Sequence, residues 1–216
     1  MMGNQDYSSE RRQMVAQQIT ARGICDSRLL AVMETVPRHR FVSQDELRWA
    51  HSDGPLPIGH GQTISQPYIV ALMTDLLHLT GEENVLEVGT GCGYHAAVLS
   101  QMAMDVHTVE IIAALAEQAT KTLADLGYDN IHVHLGDGSN GWLEAAPYDA
   151  IIVAAAAPQV PKPLLEQLAD GGRMVLPVGS RGVQELEVWR REGAAFSHQA
   201  NIPVAFVPLR GKYGWN

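Results

Sequence analysis

Cysteine is nearly absent: Cys25 and Cys92 are the only two in 216 residues. Two thiols cannot build a disulfide framework or a four-cysteine zinc site, and such usage predicts a reducing, cytoplasmic setting. Long apolar runs are missing as well. No stretch approaches the ~20 consecutive apolar residues that span a bilayer, so no membrane partner is expected. The opening segment M-M-G-N-Q-D-Y-S-S-E-R-R has no apolar run of the kind a secretory signal carries. Basic clusters are scarce. There are 15 Lys and Arg against 24 Asp and Glu, a net charge of −9. The pairs Arg11–Arg12 and Arg190–Arg191 are far apart in sequence and read as solvated faces. Nucleic-acid binding usually needs a clustered basic surface, so no nucleic-acid partner is expected. Internal repeats and low-complexity tracts are also absent.

What is present suits one folded domain. The length and the 46% hydrophobic content predict a single unit with a full core. Residues 1–83 read as N-terminal helices plus an active-site loop, 84–180 as a cofactor-binding βα core, and 181–216 as C-terminal strands. Two helices fill the first 48 residues, separated at Gly23. Asp26 or Ser27 caps the second, and Pro37 ends it. Residues 53–67, D-G-P-L-P-I-G-H-G-Q-T-I-S-Q-P, are dense in turn formers yet carry Leu56, Ile58 and Ile64. An irregular segment of that length in a compact chain is often functional. Pro67 opens a helix whose apolar face is Ile69, Leu72, Met73, Leu76 and Leu77. From residue 84 strands alternate with helices: strands at 84–88, 106–110, 131–135, 150–153 and 173–178, helices at 93–103, 111–126 and 161–169. This order predicts a doubly wound, mostly parallel α/β sheet. The alternation in 185–189 and in part of 196–209 predicts antiparallel strands added at its C-terminal edge.

The segment V-L-E-V-G-T-G-C-G-Y, residues 85–94, carries the chemistry. A buried strand runs into a glycine turn and then a helix. Gly89 and Gly91 permit close backbone approach to a ligand at the carboxyl end of a parallel strand. Glu110 follows Gly89 by 21 residues, at the end of the second strand, where an acid accepts hydrogen bonds from ribose hydroxyls. Asp137, in G-D-G just past the third strand, is placed to reach an adenine edge. The glycine spacing is G-x-G-x-G, not the G-x-G-x-x-G of dinucleotide sites, and Glu87 would repel a pyrophosphate while attracting an ammonium. Adenosine joined to a zwitterionic methionine fits better than NAD.

The chain resembles the protein-L-isoaspartate O-methyltransferase family over nearly its whole length. The resemblance rests on R-G-I-C-D (22–26), V-P-R-H-R-F-V (36–42), P-L-P-I-G-H-G-Q-T-I-S-Q-P (55–67), L-E-V-G-T-G-C-G-Y (86–94), G-D-G (136–138), Y-D-A-I-I-V (148–153), G-G-R-M-V-L-P-V-G (171–179) and F-V-P-L (206–209). The glycine loop is common to many methyltransferases, whereas the 55–67 loop followed by it is specific to this family. The resemblance implies a Rossmann-like class I methyltransferase fold and S-adenosylmethionine as cofactor. It implies methylation of the free α-carboxylate of L-isoaspartyl residues in damaged proteins and peptides. The family's functional serine falls on Ser65. Its cofactor contacts fall on Gln66, Glu87, Gly89, Thr90, Gly91, Glu110, Asp137 and Gly138, and its peptide contacts on Thr63 and Val207. Two positions depart from the common pattern: Ala205 stands where many members have arginine, and Ala154 where many have threonine.

The chemistry is coherent without the family. A carboxylate of pKa ~4 is ionised at neutral pH and needs no general base. Placement against a sulfonium then supplies most of the rate, so no obligatory His or Cys is expected. Ser65 either holds a substrate carboxylate oxygen or caps the helix that starts near Pro67. His132 and His134 share one strand face and are read as a solvent-facing pair, with no metal site expected. His60 either touches substrate or lines a turn. Cys92 is read as a small filler. The rival readings are a small-molecule or RNA methyltransferase, an NAD oxidoreductase, and a non-catalytic adenosylmethionine-binding module.

Overall fold

The computed structural model describes residues 6–215; Met1–Gln5 and Asn216, which belong to the expected single domain, lie outside the described residues. Helices α1 (Ser8–Met14) and α2 (Ser27–Thr35) open the chain, α1 continuing through wider and then tighter turns to Arg22. Gly23 terminates this run in a left-handed conformation, φ +95°. The Asp26 carboxylate accepts from the Arg28 and Leu29 amides and caps α2. Val36 turns extended ahead of Pro37, as the residue before a proline must.

The 53–67 loop is not irregular throughout, contrary to the sequence reading. Strands β1 (Leu56–Gly59) and β2 (Gln62–Ile64) pair as an antiparallel hairpin, with Leu56 opposite Ile64. Gly59, His60 and Gly61 all have positive φ at its tip. Helix α3 (Pro67–Leu77) follows. It buries Val70, Ala71, Leu72, Met73, Thr74 and Leu77, while Ile69 and Leu76 are only half-buried, so its core face is broader than the expected stripe.

The central sheet holds seven strands in the order β5–β4–β3–β6–β7–β8–β9. These are β3 (Asn84–Val88), β4 (Asp105–Glu110), β5 (Ile131–Leu135), β6 (Tyr148–Val153), β7 (Leu168–Ser180), β8 (Val183–Glu192) and β9 (Ala195–Val204). The first five in spatial order are parallel, and β8 and β9 add antiparallel at the edge. The predicted architecture is therefore present. Strands β7 and β8 extend well beyond their expected limits, while β9 lies in the expected region and ends at Val204. Helices α4 (Tyr94–Ser100), α5 (Ala113–Asp125) and α6 (Lys162–Gln167) connect the parallel strands. Helix α4 is shorter than expected and buried on every side, so it has no amphipathic period to mark its ends. Ile111, expected on the apolar face of α5, precedes the helix and is exposed.

Alternation along the strands gives the sheet two apolar faces. Val85, Val106, Ala150, Ile152, Val175 and Leu186 pack with the residues of α2, α3 and α4 and Leu123 of α5. Leu86, Val88, Val109, Ile151, Val153, Met174 and Leu176 pack with Leu164 of α6 and with Tyr148 and Trp142. Among the described residues no helix is long and apolar enough to cross a membrane.

Candidate active site

Strand β3 lies between β4 and β6, the point where successive crossovers diverge to opposite sides of the sheet. Ligands of open α/β sheets bind at such a point, beyond the carboxyl ends of the strands. A cleft opens there. Its walls include Glu87, Gly89, Thr90 and Gly91 from the β3 turn, Glu110 from β4, and Gly138. A second groove is lined by Pro55, Gln66, Ile69, Ala205 and Phe206 among others. The two share Thr63, Ser65, Ala154 and Val207.

The glycine turn brings backbone close to the cleft. Gly89 and Gly91 have φ of +97° and +55°, which disfavours any side chain there. A Cβ on Gly91 would stand 3.3 Å from Ile58 Cδ1 of the β1–β2 hairpin. The Glu110 carboxylate accepts the Gly91 amide on Oε2 at 2.8 Å and the Ile112 amide on Oε1 at 2.9 Å. Each carboxylate oxygen has about two acceptor sites. Glu110 is thereby locked in orientation with capacity left for hydroxyl donors.

Glu87 is fully buried beneath the turn. Thr108 donates to its Oε2 at 2.5 Å, and the Thr90 and Thr108 hydroxyls are 2.6 Å apart. Its Oε1 has no protein partner among the described residues. Burial pushes the carboxyl up from 4.5 to about 8, and nearby Glu110 adds to this against the opposing Thr108 hydrogen bond. A buried carboxyl with an orphaned oxygen at a cleft wall fits a cationic group in that cleft. Burial likewise raises the Cys92 thiol to about 11, which removes it as a nucleophile and agrees with a filler role. His95, also on the cleft wall, pairs with the Thr74 hydroxyl at 3.0 Å and is held neutral by burial.

Ser65 precedes α3, but the N-cap position is Gln66 and no side chain caps the helix. The Ser65 hydroxyl makes no hydrogen bond to protein among the described residues, and the residue lines both cavities. Its carbonyl accepts from Arg38 Nη2 at 2.7 Å. Arg38 is completely buried, donates from Nε to the Ala50 carbonyl at 2.8 Å, and lies 4.7 Å over the Tyr94 ring. It ties the chain before the hairpin to the chain after it, so it positions Ser65. The sequence reading missed this role; the signal was an arginine inside V-P-R-H-R-F-V, a segment otherwise rich in core residues.

Two of the expected cofactor contacts are hydrogen-bonded within the protein. Gln66 donates its amide to Asp53 at 2.7 Å and lines the second groove, not the cleft. Asp137 Oδ1 accepts the Ser139 amide at 2.9 Å and the Ser139 hydroxyl at 2.6 Å, and Oδ2 accepts the Lys212 amide at 2.8 Å. Its carboxylate thus holds its own turn and the C-terminal segment, with one acceptor site left on Oδ2, and Gly138 lines the cleft. His60 sits exposed at the hairpin tip, in a left-handed conformation.

The family model described as protein-L-isoaspartate(D-aspartate) O-methyltransferase matches residues 9–214. A protein-L-isoaspartate O-methyltransferase from Methanoregula boonei is 53% identical over 208 residues, covering 96% of each chain. One from Picosynechococcus is 54% identical over 206 residues, 95% of this chain and 92% of that one. A solved protein-L-isoaspartate O-methyltransferase superimposes with a TM-score of 0.85 at 26% identity, over 94% of this chain and 67% of its own. A Plasmodium falciparum structure in complex with S-adenosyl-L-homocysteine shares the fold, with a TM-score of 0.80 at 23% identity over 93% of this chain and 98% of its own.

Proposed function

The chain belongs to the protein-L-isoaspartate(D-aspartate) O-methyltransferase family, and from that premise we propose how its residues divide the work of methylating the free α-carboxylate of L-isoaspartyl residues in damaged proteins and peptides. The fold is that of the S-adenosylmethionine-dependent methyltransferases. S-adenosylmethionine, when bound, supplies a methyl group on a sulfonium, which is an excellent leaving group. Everything else falls to the protein.

Glu87 Oε1, unpartnered at the cleft wall, receives the ammonium of the cofactor's amino-acid end. Glu110, oriented by the Gly91 and Ile112 amides, accepts the ribose hydroxyls on its remaining lone pairs. Gly89, Thr90, Gly91 and Gly138 supply close backbone walls. Asp137 acts through Gly138 by fixing the turn that carries it, and Gln66 belongs to the substrate groove.

The substrate arrives already ionised, so the protein has no proton to remove. Its task is to hold one carboxylate oxygen while the other attacks, and to keep water from the nucleophile. The Ser65 hydroxyl, free of protein partners, donates to the held oxygen. Thr63 and Val207 contact the peptide main chain on either side. The methyl ester formed then closes spontaneously to a succinimide, whose hydrolysis returns part of the material to normal aspartate.

The observation that carries this reading is the meeting of two cavities at Thr63, Ser65, Ala154 and Val207. One cavity suits a nucleoside; the other is a groove bordered by the extended 203–207 segment. Such a segment can read peptide backbone by strand-like pairing, and isoaspartate shifts that backbone by one carbon relative to its α-carboxylate. The test is methyl transfer to matched peptides containing isoaspartate or aspartate at one position. Strong preference for the isoaspartyl peptide is expected; equal rates on the two would refute the assignment.

A further inference from the structure

Strands β4 and β5 carry a side-chain cluster that the methyl-transfer chemistry does not use. His107 and His132 are directly paired across the two parallel strands, and Asp105 lies two residues before His107. The period-two alternation of a strand therefore puts Asp105, His107, His132 and His134 on one face of the sheet. Helices α4 and α5 pack on the opposite face, where Val106 joins the core with Leu123. The cluster stands at the open edge, since β5 is the outermost strand.

Its geometry converges on one point. Asp105 Oδ1 is 2.8 Å from His132 Nε2, and Asp105 Oδ2 is 3.2 Å from His107 Nε2. One ligand atom from each of the three residues lies within 4.8 Å of the others. A tetrahedral zinc ion with bonds near 2.0–2.1 Å holds its ligand atoms about 3.3 Å apart, so small side-chain rotations suffice to enclose one. Behind these three, His107 Nδ1 is 3.0 Å from His134 Nε2. With the proton of that contact on His107 Nδ1, donated to His134 Nε2, His107 Nε2 keeps a free lone pair, the tautomer a metal requires, and outer partners of this kind hold metal-bound imidazoles in place. His134 is itself stacked on Trp142, ring centroids 4.1 Å apart, and His107 meets the Tyr148 ring edge-on. The His132 side chain is 46% exposed and that of Asp105 33%, which leaves an entry path and room for water in a remaining position.

We propose that Asp105, His107 and His132 form a binding site for a divalent transition-metal ion of the zinc class, with His134 as the partner that orients His107. Nitrogen-rich mixed N/O ligand sets favour zinc, nickel and copper over magnesium and calcium. Along β4, at ~3.3 Å per residue, His107 lies about 10 Å and Asp105 about 16 Å from Glu110, too far to touch a reacting methyl group. Its effect is to clip β5 to β4. Strand β5 leads directly into the G-D-G turn of the cleft, so the metal stabilises the edge from which Gly138 is presented.

The test is titration of the whole chain with zinc chloride, followed by calorimetry and thermal melting. Binding of one equivalent is expected. At free zinc roughly a hundredfold above Kd, Tm should rise by about 5–10 °C. His132→Asn, at an exposed position, should weaken binding at least tenfold and abolish the shift in Tm. Asp105→Asn should do the same and serves if the first variant folds poorly. His198→Asn, on the far edge strand, should bind zinc as the parent does. Cobalt(II) in place of zinc should give visible d–d bands in the parent and not in His132→Asn. Failure to bind zinc, or binding that survives both His132→Asn and Asp105→Asn, overturns the proposal.

Discussion

The Glu110 carboxylate and the Gly91 amide are joined by a 2.8 Å hydrogen bond across the mouth of the cleft. Glu110 is therefore both a wall of the cleft and the clamp that fixes the glycine turn to β4. Glu110→Ala should remove ligand hydrogen bonds and leave the Gly91 amide to find another acceptor. Loss of hydrogen bonds to a charged acceptor costs about 1–3 kcal/mol, so cofactor affinity should fall by roughly ten- to a hundredfold, with a smaller fall in stability. Calorimetry with S-adenosylhomocysteine measures it. Unchanged affinity would show that Glu110 serves only the turn.

Glu87 predicts a pH signature. A carboxyl raised from 4.5 to about 8 holds more protons folded than unfolded between those values. Folding stability of the free protein should then decline as pH rises across that window. At pH 7 the free carboxyl is mostly protonated, and an ammonium placed against Oε1 favours the carboxylate. Cofactor binding at pH 7 should therefore release protons, seen as a binding enthalpy that changes with the ionisation enthalpy of the buffer. Glu87→Gln should bind at least tenfold more weakly, show no buffer dependence, and melt above the parent at pH 9. A binding enthalpy identical in phosphate and Tris would rule out this account of Glu87.

Asp137 and the C-terminal segment predict a coupling that spans 75 residues of chain. The Lys212 amide bonds the Asp137 carboxylate, the Tyr213 amide bonds the Ser139 hydroxyl at 3.0 Å, and the Trp215 indole donates to the Ala156 carbonyl at 3.1 Å. Gly211 has φ +124° and passes so close that a Cβ there would overlap Asp137 Oδ1. Gly211→Ala should displace the segment and destabilise the chain by about 1–3 kcal/mol, the range for losing hydrogen bonds to a charged group. Chemical denaturation reads the stability, and limited proteolysis should show faster trimming near residue 211. A variant with parental stability and protease resistance would mean the tail contact contributes little.

The parallel core was legible in the sequence because its strands are buried on both faces and appear as short apolar runs such as 84–88 and 150–153. The glycine turn and Glu110 were legible for the same local reason: residue type and spacing along one βαβ unit fix them. Contacts between distant segments were not. The β1–β2 hairpin hid behind its prolines and glycines, although Gly-His-Gly between Ile58 and Ile64 was its signal. The hydrogen bond from the Lys212 amide to Asp137 was hidden because that segment lies at the other end of the chain. His132 and His134 looked like a solvent-facing pair because Asp105 and His107 join them only through the register of β4 against β5. Arg38 likewise became visible only when its donors were seen to reach Ala50 and Ser65.

Ser65 offers the sharpest test of the proposed chemistry. Sequence left two roles open, helix cap or substrate contact, and they predict opposite outcomes. Residue 66 holds the cap position and no side chain caps α3, so truncating Ser65 removes no helix hydrogen bond. Ser65→Ala should therefore change stability by no more than about 0.5 kcal/mol, the range for substitutions that break no structural feature. A true cap would have cost ~1 kcal/mol. The carbonyl held by Arg38 is backbone and survives the substitution, so the chain keeps its path between the two cavities. Cofactor affinity should stay near parental, because the hydroxyl is assigned to the substrate carboxylate. Turnover is where the loss should appear. Removing one preorganised donor from a reacting oxygen costs on the order of 10²-fold in kcat. Ser65→Thr, which keeps a hydroxyl, should recover part of that loss if its added methyl fits, whereas Ser65→Cys, a weak donor, should not. Thermal melting, S-adenosylhomocysteine calorimetry and steady-state methylation of an isoaspartyl peptide on the same purified variants separate the cases. A Ser65→Ala protein that turns over at the parental rate would remove Ser65 from the reaction, and one that loses stability and activity together would return it to the scaffold.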